Sequence, residues 1–162
     1  MGALQFDVAL LRLEIEDLYA RYVACLDGGH LDQWPEFFTE PCVYKVIPRE
    51  NYDRGLPLAT LAFESKGMLR DRVYGVSQTL FHQPYYQRHI VSGVLVRTDD
   101  AAGIHVEANY LVIRTKSKEL SEVFNAGRYI DRVVRAGDEL KFAEKLCVFD
   151  SELIPNSIIY PI

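Results

Sequence analysis

The chain has 162 residues, of which 49% are hydrophobic and 25% charged, and its formal net charge is −5 at pH 7. These values are typical of one globular domain over residues 1–162. They argue against nucleic acid or an anionic membrane as the partner, since both need a clustered cationic surface. No apolar run approaches the roughly 18 residues of a membrane span.

The N-terminal segment predicts an amphipathic helix over Leu4–Leu26. Asp7 is expected to cap its beginning, and Gly28–Gly29 to end it. The apolar stripe, at steps of three and four, consists of Val8, Leu11, Ile15, Leu18, Tyr22 and Leu26. Further helices are expected at "HLDQWPEFF" and "FESKGMLRDRVYGV".

The rest of the chain favours strands. A first strand is expected at Pro41–Ile47, followed by an irregular segment, "PRENYDRGLPLAT". Four longer strands are predicted at His89–Thr98, Ile104–Thr115, Ser121–Arg135 and Leu140–Asp150. Their short connections, "DDAAG", "KSKE" and "AGD", predict hairpins and therefore antiparallel pairing. Helices followed by a strand meander indicate an α+β fold, with a curved antiparallel sheet packed on the N-terminal helices.

The three cysteines, Cys25, Cys42 and Cys147, are too few and too scattered for a disulfide framework. No Cys-x-His or Cys-x-x-Cys motif is present, which argues against a zinc or iron–sulfur site in this chain. The N-terminus has neither the basic start nor the cleavage site of a secretory signal. Reduced thiols in a cytoplasmic protein are therefore expected.

One polar group of residues allows two interpretations. An imidazole exchanges a proton near neutral pH, so His89 could be a general base, with Asp71 orienting it and Arg72 and Arg88 holding an anion. Alternatively, these four residues form a polar cluster at the sheet edge that fixes one chain against another. Strand geometry sends Arg88 and His89 to opposite faces, which favours the structural interpretation.

The other candidate groups are less specific. The remaining histidines, His30, His82 and His105, are scattered and do not form a metal-binding pattern. Several tyrosines could line an aromatic pocket or a protein interface, namely Tyr44, Tyr74, Tyr85, Tyr86, Tyr110, Tyr129 and Tyr160. The apolar tail "IPNSIIYPI" must be covered, either by its own sheet or by another chain.

The order of several short motifs carries a family resemblance. "LDQWPEFFTEPCVYKVI" is followed by "MLRDRVYGV", "YYQRHIVSGVLV", "LVIRTKSKE", "VFNAGRYIDRVVRAGDELKFAEKLCVFDSE" and a closing "YPI". This order, with its W-x-x-F-F, D-R-V and R-H-I-V segments, resembles the small (β) subunit of Rieske-type aromatic-ring-hydroxylating dioxygenases over almost the whole chain. The benzoate, anthranilate, terephthalate and salicylate types are the most similar.

The resemblance implies a cystatin-like cone and a non-catalytic, structural role. A large α subunit of the family holds a Rieske [2Fe–2S] cluster and a mononuclear non-heme iron, and three α and three β chains form a hexamer with β–β contacts. Electrons come from NADH through a reductase, sometimes with a ferredoxin, and oxygen is inserted into an aromatic ring. On this basis no residue of this chain is catalytic or binds a cofactor. The expected interface or scaffold residues are Asp71, Arg72, Arg88, His89 and Tyr160.

Two alternatives remain open at this stage, because the same cone also houses enzymes. The chain could be a separate dehydratase, isomerase or cyclase that uses His89 with a carboxylate, either Asp27 or Asp71, as an acid/base pair. It could also be a module that binds small aromatic molecules without transforming them.

Overall fold

Helices dominate the first half of the chain. The computed structural model describes residues 2–153 and 157–162, with side chains from Asp7 onward. The helical segments are Gly2–Asp27 (α1), a 3-10 helix at Leu31–Phe37, Arg49–Asp53 (α2) and Lys66–Tyr74 (α3), followed by a π-helical turn at Gly75–Thr79. The three predicted helices are confirmed. The short α2 is a correction, since its segment was predicted to be irregular.

The long helix α1 packs its apolar stripe against the sheet. Leu11, Ile15, Leu18, Tyr22 and Leu26 are buried there, as predicted. Two details were wrong: Val8 is 58% exposed, because the packed stripe begins only at Leu11, and Asp7 is no cap, because the helix begins at Gly2. The predicted end at the glycines is confirmed, since Gly29 adopts φ +74, which an L side chain rarely adopts.

Six strands form one curved sheet. They are Phe38–Pro48 (β1), Leu61–Phe63 (β2), Tyr85–Asp100 (β3), Gly103–Lys116 (β4), Glu122–Ala136 (β5) and Glu139–Phe149 (β6). Their order is β2-β1-β6-β5-β4-β3, so β3 is an edge strand. The three predicted hairpins of β3 to β6 are antiparallel, which confirms the meander.

The pairing of β1 departs from the prediction of a purely antiparallel sheet. β1 runs parallel to β6 and antiparallel to the short β2. The intervening helices carry the chain from β1 to the opposite edge of the sheet, and the meander then returns until β6 lies beside β1. This arrangement places the end of α1 beside β3 and leaves the concave face to be filled by aromatic side chains.

A bulge bends β3 around α1. The pairing of β3 with β4 shifts register between Ser92 and Leu95, and Gly93 within this interval has φ +63. A Cβ at Gly93 would also lie 2.8 Å from the Asn109 side-chain nitrogen. Bulges increase local bending and twist, and a glycine tolerates this backbone conformation. The edge strand can therefore follow the surface of the helix.

The three cysteines are free and buried. Burial raises the pKa of Cys25 to about 11 and that of Cys147 to about 12, and it also raises the pKa of Cys42. Because the thiolate is the reactive form, all three should be inert in the folded chain.

We therefore expect Ellman's reagent to label less than one thiol per native chain at mildly alkaline pH, and all three after unfolding in guanidinium chloride. The unfolded sample is the control for reagent and thiol content. Rapid labelling of a whole equivalent in the native chain would contradict the described burial.

Candidate functional site

A carboxylate–imidazole pair joins the end of α1 to the edge strand. Asp27, the last residue of α1, accepts a hydrogen bond from His89 Nδ1 at 2.6 Å. The same carboxylate accepts the backbone N–H of His89, with N–O distances of 3.2 and 3.0 Å. The Asp27 side chain is 7% exposed and the His89 side chain 0%. The pair is therefore one of the most enclosed polar contacts between helix and sheet.

The position of the Asp27–His89 pair explains its structural role. An edge strand presents unpaired backbone groups, and Asp27 satisfies one of them on β3. A carboxylate at a helix C-terminus is disfavoured by the helix dipole, so this placement depends on the hydrogen bonds from His89. The other ring nitrogen, His89 Nε2, is buried without a hydrogen-bond partner among the described residues.

The four residues of the predicted polar cluster are not all brought together. Arg88 and His89 do lie on opposite faces, as predicted, with 73% and 0% of their side chains exposed. Even so, Arg88 Nη1 reaches within 3.8 Å of the same Asp27 carboxylate. Asp71 is exposed on α3, and the hypothesis that it orients His89 is wrong, because Asp27 does so. Arg72 makes contacts elsewhere.

Arg72 and Tyr160 hold the C-terminal tail, defined here as residues 157–162. Arg72 Nη2 donates to the backbone oxygens of Ile158 at 2.8 Å and Ile159 at 2.9 Å. The Tyr160 hydroxyl lies 2.8 Å from His82 Nε2. Of the two alternatives for the tail, the structure shows its described part folded back onto its own chain.

The end of the tail is inserted between the sheet and α1. The backbone oxygen of Ile162 accepts hydrogen bonds from the hydroxyls of Tyr22 at 2.9 Å and Tyr44 at 3.2 Å. The Tyr44 hydroxyl also accepts the Ile162 N–H at 2.8 Å. Burial raises the pKa of both tyrosines well above the ordinary value, so both hydroxyls remain available as donors.

A cleft opens between the tail and the end of α1. Its volume is about 340 Å³. The residues that line this tail cleft include Leu26, Asp27, His82, Tyr85, Gln87 and Tyr160. Of the tyrosines that could line a pocket or an interface, Tyr85, Tyr86 and Tyr160 line this cleft. Tyr44, Tyr110 and Tyr129 are buried in the core, and Tyr74 is exposed.

An ion pair inside the cone was not anticipated from the sequence. Lys145 Nζ donates to Asp131 Oδ2 at 3.0 Å, and both side chains are 0% exposed. The Tyr19 hydroxyl donates to the same oxygen at 2.7 Å, and Lys145 Nζ lies 3.3 Å from the ring centroid of Tyr129. Burial raises the pKa of Asp131, and Lys145 opposes this shift.

Comparison with known proteins identifies the family. A model of the SnoaL-like domain matches residues 7–145. The anthranilate 1,2-dioxygenase small subunit of Burkholderia cepacia is 37% identical over 149 residues, which are 92% of this chain and 92% of that protein. The chain belongs to the small (β) subunits of ring-hydroxylating dioxygenases. The resemblance seen in the motifs is therefore confirmed.

Two further relatives extend the comparison for this dioxygenase β subunit. Beta subunit 2 of the terephthalate 1,2-dioxygenase terminal oxygenase component from a Comamonas species is 27% identical, covering 93% of this chain and 97% of that protein. A crystal structure from Novosphingobium aromaticivorans, of a β subunit assigned to an aromatic-ring-hydroxylating dioxygenase, superposes with a TM-score of 0.87 at 33% identity. It covers 96% of this chain and 99% of that one, and it confirms the cystatin-like α+β fold.

The polar side chains of this β subunit mainly connect structural elements. Asp27 connects α1 to β3, Arg72 connects α3 to the tail, and Lys145 connects β6 to β5. Within residues 2–153 and 157–162, no three His, Cys, Asp or Glu side chains are grouped so as to hold a metal ion. No helix in the same ranges has the length and apolar character of a membrane span.

Proposed function

We propose that this chain is the structural β subunit of a ring-hydroxylating oxygenase and supports a large α subunit that oxidises an aromatic ring. The observation that carries the proposal is the 37% identity to a dioxygenase small subunit over nearly the full length of both chains. Such a role requires a rigid fold and exposed contact surfaces. It does not require reacting groups on this chain.

The contacts of the candidate residues support this role. The Asp27 carboxylate is engaged by both the backbone and the ring of His89. Arg72 is occupied by two backbone oxygens of the tail. We assign scaffold roles to Arg72, His89 and Tyr160. Asp71 and Arg88 are exposed, and we assign them to a subunit interface.

The wider assembly follows from the same proposal. Three α and three β chains form the hexamer, with β–β contacts, and the α subunit carries the Rieske [2Fe–2S] cluster and the mononuclear iron. A reductase, with or without a ferredoxin, delivers electrons to α. Residues 1–162 act as one domain. The three free thiols agree with a cytoplasmic location, since disulfides are rare there.

The first test is co-expression with the large subunit, followed by size-exclusion chromatography with light scattering. We expect one complex with equal numbers of both chains and a mass near three of each. The isolated chain should turn over no aromatic substrate. The proposal would be contradicted by an active large subunit that elutes without this chain, or by turnover of an aromatic substrate by this chain alone.

A variant of His89 separates the scaffold role from acid/base chemistry. His89→Ala removes the ring hydrogen bond to Asp27 and should lower the free energy of unfolding by about 1.5–3 kcal/mol, as for bonds to charged groups. Turnover per assembled complex should stay unchanged. The matched control is His105→Ala, which truncates a half-buried imidazole on β4 and should affect neither quantity. Lost turnover in intact His89→Ala complexes would favour the enzyme alternative.

A further inference from the structure

The tail cleft has walls suited to a flat apolar ring. Leu26, Leu31 and Val76 contribute aliphatic surface, and Tyr85 and Tyr160 contribute aromatic surface with ring centroids 4.9 Å apart. Small-molecule sites are typically apolar clefts of about 300–1,000 Å³ with a few polar groups. The volume of about 340 Å³ is at the small end of this range. A single ring with small substituents fits this space.

The same cleft contains an unusual group of unpaired polar atoms. The Gln87 amide nitrogen and His82 Nδ1 are buried, and the described residues provide no hydrogen-bond partner for either atom. Gln87 itself is only 5% exposed. Buried polar groups are nearly always paired, so two unpaired atoms among the lining residues of one cleft need an explanation. A bound molecule that both accepts and donates hydrogen bonds would provide it.

The charge of the residues that line the tail cleft restricts which molecules can bind there. Asp27 contributes to the cleft a carboxylate that accepts hydrogen bonds from the backbone and the ring of His89. Arg88 lies 3.8 Å from this carboxylate and is largely exposed, so it compensates the carboxylate charge only weakly. A ligand carboxylate would therefore be repelled. A neutral hydroxyl group on a ligand can accept a hydrogen bond from the Gln87 amide and can also donate one.

We propose that the tail cleft binds a neutral single-ring phenol. The ring packs against Tyr85 and Tyr160, and the hydroxyl accepts a hydrogen bond from the Gln87 amide. This binding site is additional to the subunit role and does not depend on it. Because Tyr160 belongs to the tail, a ligand in the cleft would also contact the segment that Arg72 holds in place.

The test titrates phenol into the full chain and into its complex with the large subunit, with NMR chemical shifts as the readout. We expect one phenol per chain in both samples, and benzoate binding weaker by about fivefold or more. Gln87→Leu should weaken phenol binding by about fivefold, because it removes the amide donor. Tyr85→Phe keeps the ring that packs against phenol and should bind phenol as the parent chain does. Gln87→Leu should not lower the unfolding midpoint, because it removes a buried unpaired polar atom.

Two matched controls change the same residue types outside the tail cleft. Gln33→Leu alters an exposed glutamine and Tyr52→Phe a half-buried tyrosine, and both should bind phenol as the parent chain does. The proposal is overturned if phenol does not bind, or if benzoate binds equally well. It is also overturned if Gln87→Leu binds phenol normally. Binding to the isolated chain but not to the complex overturns it too, since the unpaired atoms would then belong to the partner interface.

Discussion

Lys145→Met should lower the free energy of unfolding by about 3–5 kcal/mol, measured by urea denaturation. Methionine has nearly the volume of the lysine stem, so the loss is electrostatic and not a cavity effect. The variant leaves Asp131 fully buried and opposite no cation, with only the Tyr19 hydroxyl as a side-chain donor. It also removes the ammonium group from the face of the Tyr129 ring, 3.3 Å from its centroid.

A double variant tests whether the lost stability comes from the unpaired charge of Asp131 or from the change of side chain at position 145. In the double variant Lys145→Met/Asp131→Leu no charge is left unpaired, so we expect most of the lost stability to return, as apolar replacement of a buried pair is often neutral or stabilising. Lys141→Met is the matched control on the same strand, where the lysine lies 3.6 Å from Glu139 in a surface pair. It should change stability by less than about 1 kcal/mol. If Lys145→Met is as stable as the parent chain, the result contradicts a stabilising buried ion pair between Lys145 and Asp131.

Features that depend on nearby residues were predictable from the sequence. The hairpins from β3 to β6 follow from turn residues between alternating strands, and both are local signals. The stripe from Leu11 to Leu26 follows from helical spacing for the same reason. The partner of β1 was not predictable, because no short turn links Phe38–Pro48 to the last strand.

The main contacts of the site are long-range. Asp27 and His89 are 62 residues apart, so spacing gives no reason to prefer Asp27 over Asp71, which is much nearer in the chain. Only the packing of α1 against the edge of β3 decides between them. The family resemblance predicted an assembly and a structural role, but it did not specify this contact.

The buried ion pair did leave a signal in the strand pattern. Asp131 stands between Tyr129 and Val133 at the buried positions of β5, and Lys145 is in phase with the buried Cys147 on β6. A charged residue in the apolar phase of a strand is expected to find a buried partner. Two such residues on adjacent strands, registered as Asp131 opposite Lys145, predict a pair inside the cone.

Deleting the tail, residues 157–162, should lower the free energy of unfolding by at least about 4 kcal/mol. Ile158 and Ile162 are buried, and full burial of such a side chain contributes about 1.5–3 kcal/mol. The deletion also removes the backbone groups that pair with the Tyr22 and Tyr44 hydroxyls. An unpaired buried hydroxyl adds about 1–3 kcal/mol to the loss. Since domains are stable by only about 5–15 kcal/mol, thermal unfolding should begin near ambient temperature.

Smaller changes show which part of the tail is responsible. Tyr44→Phe removes one hydroxyl that both donates to and accepts from Ile162, and should reproduce about 1–3 kcal/mol of the loss. Leu153→Ala alters an apolar side chain that is exposed just before the tail, and it should leave the melting temperature unchanged. If the deleted chain melts like the parent, the tail does not complete the core. In that case the large subunit would be the better candidate for the partner that covers the apolar tail.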